Sequence, residues 1–204
     1  MMHKITKTYL PAIASFALLL GGSVAIAQQK SPSTSSSQHS SKAATYTMTD
    51  AEFAKKAAEA NLAEVKLGNL AEQQGTTSTV KDFGKRMVTD HSKAEDNLKS
   101  AAATGKITLP TSLDAKDQAV YDHLSKLSGE AFDRAYAHYM VRDHKGDIAE
   151  FQHEANDGTD ASIKNFASET LPTLETHLKL AREMLHSVSA QKTSENGRNS
   201  KAAS

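Results

Sequence analysis

Between residues 49 and 188, apolar side chains recur every three or four residues, which is the spacing of one face of an α-helix. No segment of this region alternates strictly between apolar and polar residues, as a half-buried β-strand does. Glycines interrupt the pattern at Gly75, Gly105, Gly129 and Gly158, and helices commonly end at such residues. The chain is therefore predicted to be all-α.

These interruptions divide the region into four long helices and one short helix. The long helices are predicted at about 50–74, 78–104, 130–156 and 160–188, and the short one at about 114–127. Thr49 or Asp50 is the expected first N-cap. Pro172 lies inside the last helix, where a proline either kinks a helix or divides it. Short connections favour an antiparallel four-helix bundle with one short extra helix in the central crossover.

One ionisable residue interrupts the apolar stripe of each long helix. These residues are Glu64, His91, His144 and His177, in chain order. Mid-helix positions of an antiparallel bundle share a layer, so the four side chains are predicted to converge in the core. A buried carboxylate is costly there unless it is neutralised, ion-paired or bound to a metal.

Three imidazoles and a carboxylate form a suitable ligand set for zinc, copper, iron or manganese. The sequence thus predicts a metal site formed by Glu64, His91, His144 and His177. The alternative is a structural polar layer, in which Glu64 pairs with one protonated histidine and sets the register of the helices. Glu95 and Asp147, one turn beyond His91 and His144, could add carboxylates to the site. Together with Asp90, Asp143 and Glu175 at the edge of the same faces, they could also orient the imidazoles, but most of these carboxylates are predicted to be surface groups.

Other catalytic signatures are missing from the sequence. Glu-x-x-His, the repeated unit of di-iron carboxylate centres, occurs at Glu150 and His153 but lies away from the apolar stripe, so we do not predict a ferroxidase centre. There is no cysteine, no Gly-x-Ser-x-Gly elbow and no phosphate-binding glycine loop. The sequence names no reaction, and enzymatic activity is left open.

The first 27 residues have the layout of a secretory signal peptide. Lys4 and Lys7 precede an apolar stretch over residues 10–26, and Ala25 and Ala27 form a small-x-small cleavage site. An uncleaved membrane anchor is the alternative, but a proline and two glycines interrupt the apolar stretch. We predict cleavage before Gln28 and export to the periplasm, with outer-membrane association left open.

The segments on either side of the helical region contain little to bury. Residues 28–48 are rich in Ser, Gln, Lys and Thr and are predicted to be a disordered linker, and residues 189–204 a disordered tail. The absence of cysteine excludes both disulfides and an acylated-cysteine anchor. With 24 basic and 24 acidic residues, the chain has no electrostatic reason to bind nucleic acid.

The chain resembles the domain-of-unknown-function 4142 family over residues 49–185. The resemblance rests on the signal and on four segments: Glu-Val-x-Leu-Gly-x-Leu-Ala at 64–71, Phe83 through Met87 to Asp90-His91, Phe132-Asp133 through Tyr136 and Met140 to His144, and Leu171-Pro172 through His177-Leu178. It implies a ferritin-like helical bundle in the periplasm or outer envelope, with no settled activity. The family's Glu and His positions fall on Glu64, His91, His144 and His177.

The sequence favours an exported periplasmic bundle that binds a transition metal for storage, buffering or protection against oxidative or envelope stress. The alternative function belongs to another class. It is a non-catalytic envelope protein whose helices bind a partner protein, with the Glu and His layer purely structural.

Overall fold

The computed structural model describes residues 48–202, and side chains are described for residues 48–190. Over this part of the chain the protein is all-α, with five helices and no β-strand. The helices are α1 (Asp50–Gln74), α2 (Ser78–Thr104), α3 (Ala115–Leu124), α4 (Gly129–Asp157) and α5 (Ala161–Ala202). The predicted all-α class is confirmed. The predicted signal peptide and nearly all of the predicted linker lie outside the described residues.

Side-chain caps define where the first helices begin. Thr49 forms a capping box with Glu52: its hydroxyl accepts the backbone N–H of Glu52 at 3.2 Å, and the Glu52 carboxylate accepts the backbone N–H of Thr49 at 2.8 Å. Thr77 caps α2 and Asp114 caps α3 through similar bonds from backbone N–H groups. Thr49, rather than Asp50, is therefore the first N-cap.

Two helix pairs make up most of the packing. The first pair is α1 with α2 and the second is α4 with α5, and each pair is joined by a loop of three residues. Contacts between α2 and α5 connect the two pairs, while α3 packs against α1 and α4. None of the helices within residues 48–202 is both long and apolar enough to cross a membrane.

Two apolar clusters fill the interior, and a polar layer lies between them along each long helix. One cluster contains Phe83, Phe132, Tyr136, Met140 and Met184 among others. The other contains Phe53, Leu98, Phe151, Ile163 and Leu174 among others. In α2, for example, the buried residues as far as Met87 belong to the first cluster and those from Ala94 onward belong to the second, and His91 lies between them. Burial of these two clusters provides the apolar stabilisation of the fold.

The last helix differs from its predicted form. Of the two predicted alternatives at Pro172, division of the helix is wrong, because α5 is one helix from Ala161 to Ala202. The proline is exposed, and its own carbonyl accepts the Thr176 hydroxyl at 2.9 Å. Helix α5 also continues beyond Val188, where the sequence predicts a disordered tail. Residues 189–202 contain no proline that would block the helix, although Gly197 and the Ser and Asn residues have low helix propensity.

The backbones of α1 and α2 approach closely at Gly68 and Gly84. A Cβ atom added to Gly68 would lie 2.6 Å from the carbonyl oxygen of Gly84, and one added to Gly84 would lie 2.7 Å from the carbonyl oxygen of Gly68. Both distances are shorter than van der Waals contact, and neither backbone oxygen can turn away as a side chain could. Glycine at these positions is a requirement of helix packing.

We expect Gly68→Ala to lower the free energy of unfolding by about 1–3 kcal/mol, because the added methyl group forces the two helices apart. This loss outweighs the gain of about 1 kcal/mol that alanine has over glycine in a helix. Gly146→Ala in α4 is the matched control, since its Cβ would meet nothing within 4 Å. It should leave stability unchanged or raise it. Equal effects of the two variants in urea unfolding would contradict this account of the contact.

Candidate metal centre

Three histidines from three helices meet in the polar layer. His91 of α2, His144 of α4 and His177 of α5 are 3%, 0% and 1% exposed. Each offers a ring nitrogen that lies within 4.8 Å of those of the other two. Their ring centroids are 5.3–5.8 Å apart. The structure thus brings together three of the four residues predicted to form the site.

Each imidazole has one nitrogen hydrogen-bonded to an oxygen outside the cluster. Nδ1 of His144 lies 3.0 Å from the carbonyl oxygen of Met140, and Nε2 of His177 lies 2.8 Å from Oδ2 of Asp90. A carbonyl or an ionised carboxylate can only accept, so these two nitrogens carry the hydrogen. Such bonds fix the tautomer and the orientation of each ring.

His91 is held in the same way by an amide. Its Nδ1 lies 3.0 Å from Oδ1 of Asn61, and Nδ2 of Asn61 donates to Oε2 of Glu95 at 3.4 Å. The carboxylate of Glu95 must face the amide NH₂ group, which leaves the amide oxygen for His91. Nδ1 of His91 is therefore the protonated nitrogen of this ring.

The remaining ring nitrogens have no hydrogen-bond partner. They are Nε2 of His91, Nε2 of His144 and Nδ1 of His177, and all three are buried. A neutral imidazole with one protonated nitrogen presents a lone pair on the other. A buried acceptor without a donor costs about 1–3 kcal/mol. Together these three acceptors could hold a metal ion.

The environment keeps the three rings neutral. Burial lowers the pKa of His91 well below its ordinary value, and the neighbouring His144 and His177 lower it further. Burial, together with His177, lowers the pKa of His144 to about 4, although Asp143 acts in the opposite direction. Burial also lowers the pKa of His177, while its hydrogen bond to Asp90 raises it. Neutral imidazole is the form that binds metals.

Glu64, the fourth predicted ligand, is not a member of this group of ligand atoms. Its side chain is fully buried in α1, and neither carboxylate oxygen has a hydrogen-bond partner. Burial raises its pKa well above the ordinary value, and so do Asp143, Asp147 and Asp117.

The other predicted carboxylates have different roles. Asp90 contacts His177, as predicted for a residue that orients an imidazole, and it also pairs with Arg86 at 3.3 Å. Glu95 reaches the cluster only through Asn61. Glu175 is exposed. Asn61 is absent from the sequence prediction, although its position three residues before Glu64 places it on the same helix face.

The geometry suits a transition metal ion. Bonds of about 2.0–2.1 Å from an ion to three nitrogens require those nitrogens to be roughly 3.5 Å apart. The observed limit of 4.8 Å is wider than this, so the three rings would have to move closer together to bind one ion. Three neutral nitrogen ligands suit zinc and copper in particular, and they leave a fourth position on a tetrahedral ion.

These features define the class of the molecule: an all-α protein with a buried group of three neutral histidines. The chain belongs to the DUF4142 family, described as a domain of unknown function, which matches residues 35–184. The resemblance found in the sequence is thereby confirmed.

Comparison with other proteins adds information about the fold alone. No curated protein matches the chain. The crystal structure of a DUF305 fragment from Deinococcus radiodurans is similar, with a TM-score of 0.60 over 69% of this chain and 97% of that chain. The two sequences are 13% identical. At this identity the likeness indicates a shared helical fold and says nothing about the site.

We expect neutral His144 to make the stability of the metal-free protein depend on pH. In the unfolded chain this residue titrates near 6.5, whereas in the folded protein its pKa is about 4. The unfolded state therefore binds more protons between these values, and the stability that neutral His144 contributes above pH 6.5 is lost as the pH falls toward 4. The loss for this residue should be about 2–3 kcal/mol between pH 7 and 4.5.

Buried carboxyl groups such as Glu154, whose pKa is raised to about 7 by burial and by Asp50, act in the opposite direction. Comparison of the wild type with His144→Gln cancels their contribution. Urea unfolding of both proteins with chelator present, at pH 7 and at pH 4.5, measures the difference. A difference that does not change with pH would show that His144 is not held neutral by burial.

Proposed function

We propose that this protein is exported to the periplasm and binds one transition metal ion through His91, His144 and His177. It would serve metal storage, metal buffering or protection against oxidative or envelope stress. The observation that carries the proposal is the set of three buried ring nitrogens without hydrogen-bond partners. The signal-peptide layout of residues 1–27 supports export.

We further propose that the helices form a ferritin-like antiparallel four-helix bundle, with α3 in the crossover. Support comes from the short loops within the α1–α2 and α4–α5 pairs and from the contacts between α2 and α5. In such a bundle each long helix contributes to the polar layer. The ligands then come from α2, α4 and α5, and α1 supplies the amide of Asn61, which holds His91.

A purely structural polar layer fits these contacts less well. In that alternative, Glu64 would accept a hydrogen bond from a protonated histidine, but neither of its oxygens has a partner. The three histidines have lowered pKa values because of burial, so the environment opposes a protonated ring. A metal ion satisfies all three free lone pairs at once without adding a proton.

The ligand type favours zinc and copper over manganese, with iron as a further candidate. Imidazole suits zinc, copper and iron, whereas manganese prefers oxygen ligands, and affinity among divalent ions is highest for copper. Three protein ligands would leave one position for water or another small ligand.

Asp90 connects the buried histidines with the protein surface. This residue contacts His177 and also lines an open groove between α2 and α5, together with Arg86, Lys93 and Thr176. Asp90 is therefore the residue through which the hydrogen bonds of the buried histidines reach the solvent-exposed groove.

Metal content tests the proposal. The mature protein, purified without affinity tag or chelator, should contain about one equivalent of zinc or copper by mass spectrometry. A variant with His91→Ala and His144→Ala should lose the ion and remain helical by circular dichroism. The matched control carries His138→Ala and His186→Ala, which remove two exposed imidazoles from α4 and α5.

The control should keep its metal. If the purified wild type contains no metal, and added zinc, copper, iron and manganese leave its thermal stability unchanged, the metal site is wrong. The partner-binding envelope protein would then be the better account.

Loss of the Asp90 carboxylate should weaken metal binding without removing a ligand. We expect Asp90→Ala to lower the affinity for zinc by roughly 10–100-fold, because His177 loses the acceptor that orients its ring. Asp82→Ala removes one exposed carboxylate from the same helix and controls for the change of net charge. Competition with a chromogenic chelator measures both affinities. Equal losses in the two variants would mean that Asp90 acts through long-range charge alone.

A further inference from the structure

Met87 of α2 lies at the same level of the core as the imidazole of His144. The ring centroid of His144 lies 6.3 Å from that of Phe83 and 5.8 Å from that of His91. In α2, Met87 lies between these two residues, one turn from each and on the same helix face. Since the ring of His144 contacts both neighbours, Met87 lies opposite this ring.

The thioether of Met87 is confined to the interior of the protein. Its side chain is 0% exposed and belongs to the apolar cluster that adjoins the polar layer. On the side of α1, a Cβ atom added to Gly68 would lie 3.2 Å from the Cβ atom of Met87. Because α1 approaches so closely there, the rest of the methionine side chain extends into the core beside the histidines.

The donors available in this layer favour an ion of low charge. The three imidazoles are neutral, and among residues 48–190 the group of ligand atoms that they form contains no carboxylate. An ion bound by neutral ligands keeps its full charge, and the cost of burying an ion rises steeply with that charge. Thioether sulfur is also uncharged, and as a soft ligand it selects Cu(I).

We propose that Met87 supplies a thioether sulfur as the fourth ligand of the histidine site and that the ion bound there is Cu(I). The inference rests on the proposed function, because it takes His91, His144 and His177 as the other three ligands. The sulfur fills the one tetrahedral position that three protein ligands leave. The three rings must move closer together to bind one ion, and the methionine side chain, with its three rotatable bonds, can follow them.

Met140 of α4 offers a matched control, because it is equally buried in the same apolar cluster. The ring centroid of Phe83 lies 6.1 Å from that of Tyr136 and 6.3 Å from that of His144, which lie one turn before and one turn after Met140. Met140 therefore lies opposite Phe83 rather than opposite an imidazole. Leucine has nearly the volume of methionine, so the core should tolerate the replacement of either residue.

Cu(I), supplied as its acetonitrile complex in the absence of oxygen, is the probe for the mature protein. X-ray absorption at the copper edge should show nitrogen neighbours at about 2.0 Å and one sulfur neighbour at about 2.3 Å. Met87→Leu should remove the sulfur neighbour, whereas Met140→Leu should keep it.

Affinities measured in competition with bicinchoninate should follow the same division. Met87→Leu should bind Cu(I) at least about tenfold more weakly, since loss of a ligand costs no less than loss of an outer-shell partner. Its zinc affinity should not change, because zinc in proteins takes imidazole, thiolate and oxygen ligands. Met140→Leu should bind both ions as the wild type does.

The possible failures separate this inference from the proposed function. Wild-type copper with nitrogen neighbours but no sulfur neighbour would overturn the role of Met87 and leave the three-histidine site standing. Zinc binding without Cu(I) binding would do the same, and so would equal losses of Cu(I) affinity in Met87→Leu and Met140→Leu. A protein that binds neither ion would contradict the proposed function, and this inference with it.

Discussion

The hydrogen bond from each imidazole to an oxygen outside the cluster is the constraint on which the rest of the centre depends. Each neutral histidine donates its one ring N–H group to an oxygen atom, which belongs to Asn61, Met140 or Asp90. The second nitrogen of each ring is then left as a bare acceptor in the core. One set of three bonds thus determines the tautomers and the ring orientations, and it leaves three buried lone pairs that could hold a metal ion.

The same layer connects the four long helices. Helix α1 contributes Asn61, α2 contributes His91 and Asp90, α4 contributes His144, and α5 contributes His177. Apolar clusters on both sides of the layer stabilise the helices independently of it. The fold can therefore tolerate three buried ring nitrogens without hydrogen-bond partners in its centre. An ion that binds these nitrogens would stabilise the folded state by mass action.

Helical periodicity was sufficient to predict the all-α class, the four long helices and the inward direction of His91, His144 and His177. It could not predict the surroundings of Glu64, because periodicity gives the face of a helix but not where a long flexible side chain ends. The position of Asp117 depends on the path of the crossover, which no local pattern specifies. No role was predicted for Asn61, because only ionisable residues were considered on the apolar stripes. Its spacing of three residues from Glu64 does place it on the same helix face.

The central claim is that the three free imidazole nitrogens bind one metal ion. X-ray absorption at the zinc edge, recorded on the mature protein loaded with one equivalent of zinc, tests it most directly. The account predicts three nitrogen neighbours at about 2.0 Å with the outer-shell scattering of imidazole rings. A zinc environment made only of oxygen neighbours, without imidazole scattering, would contradict it.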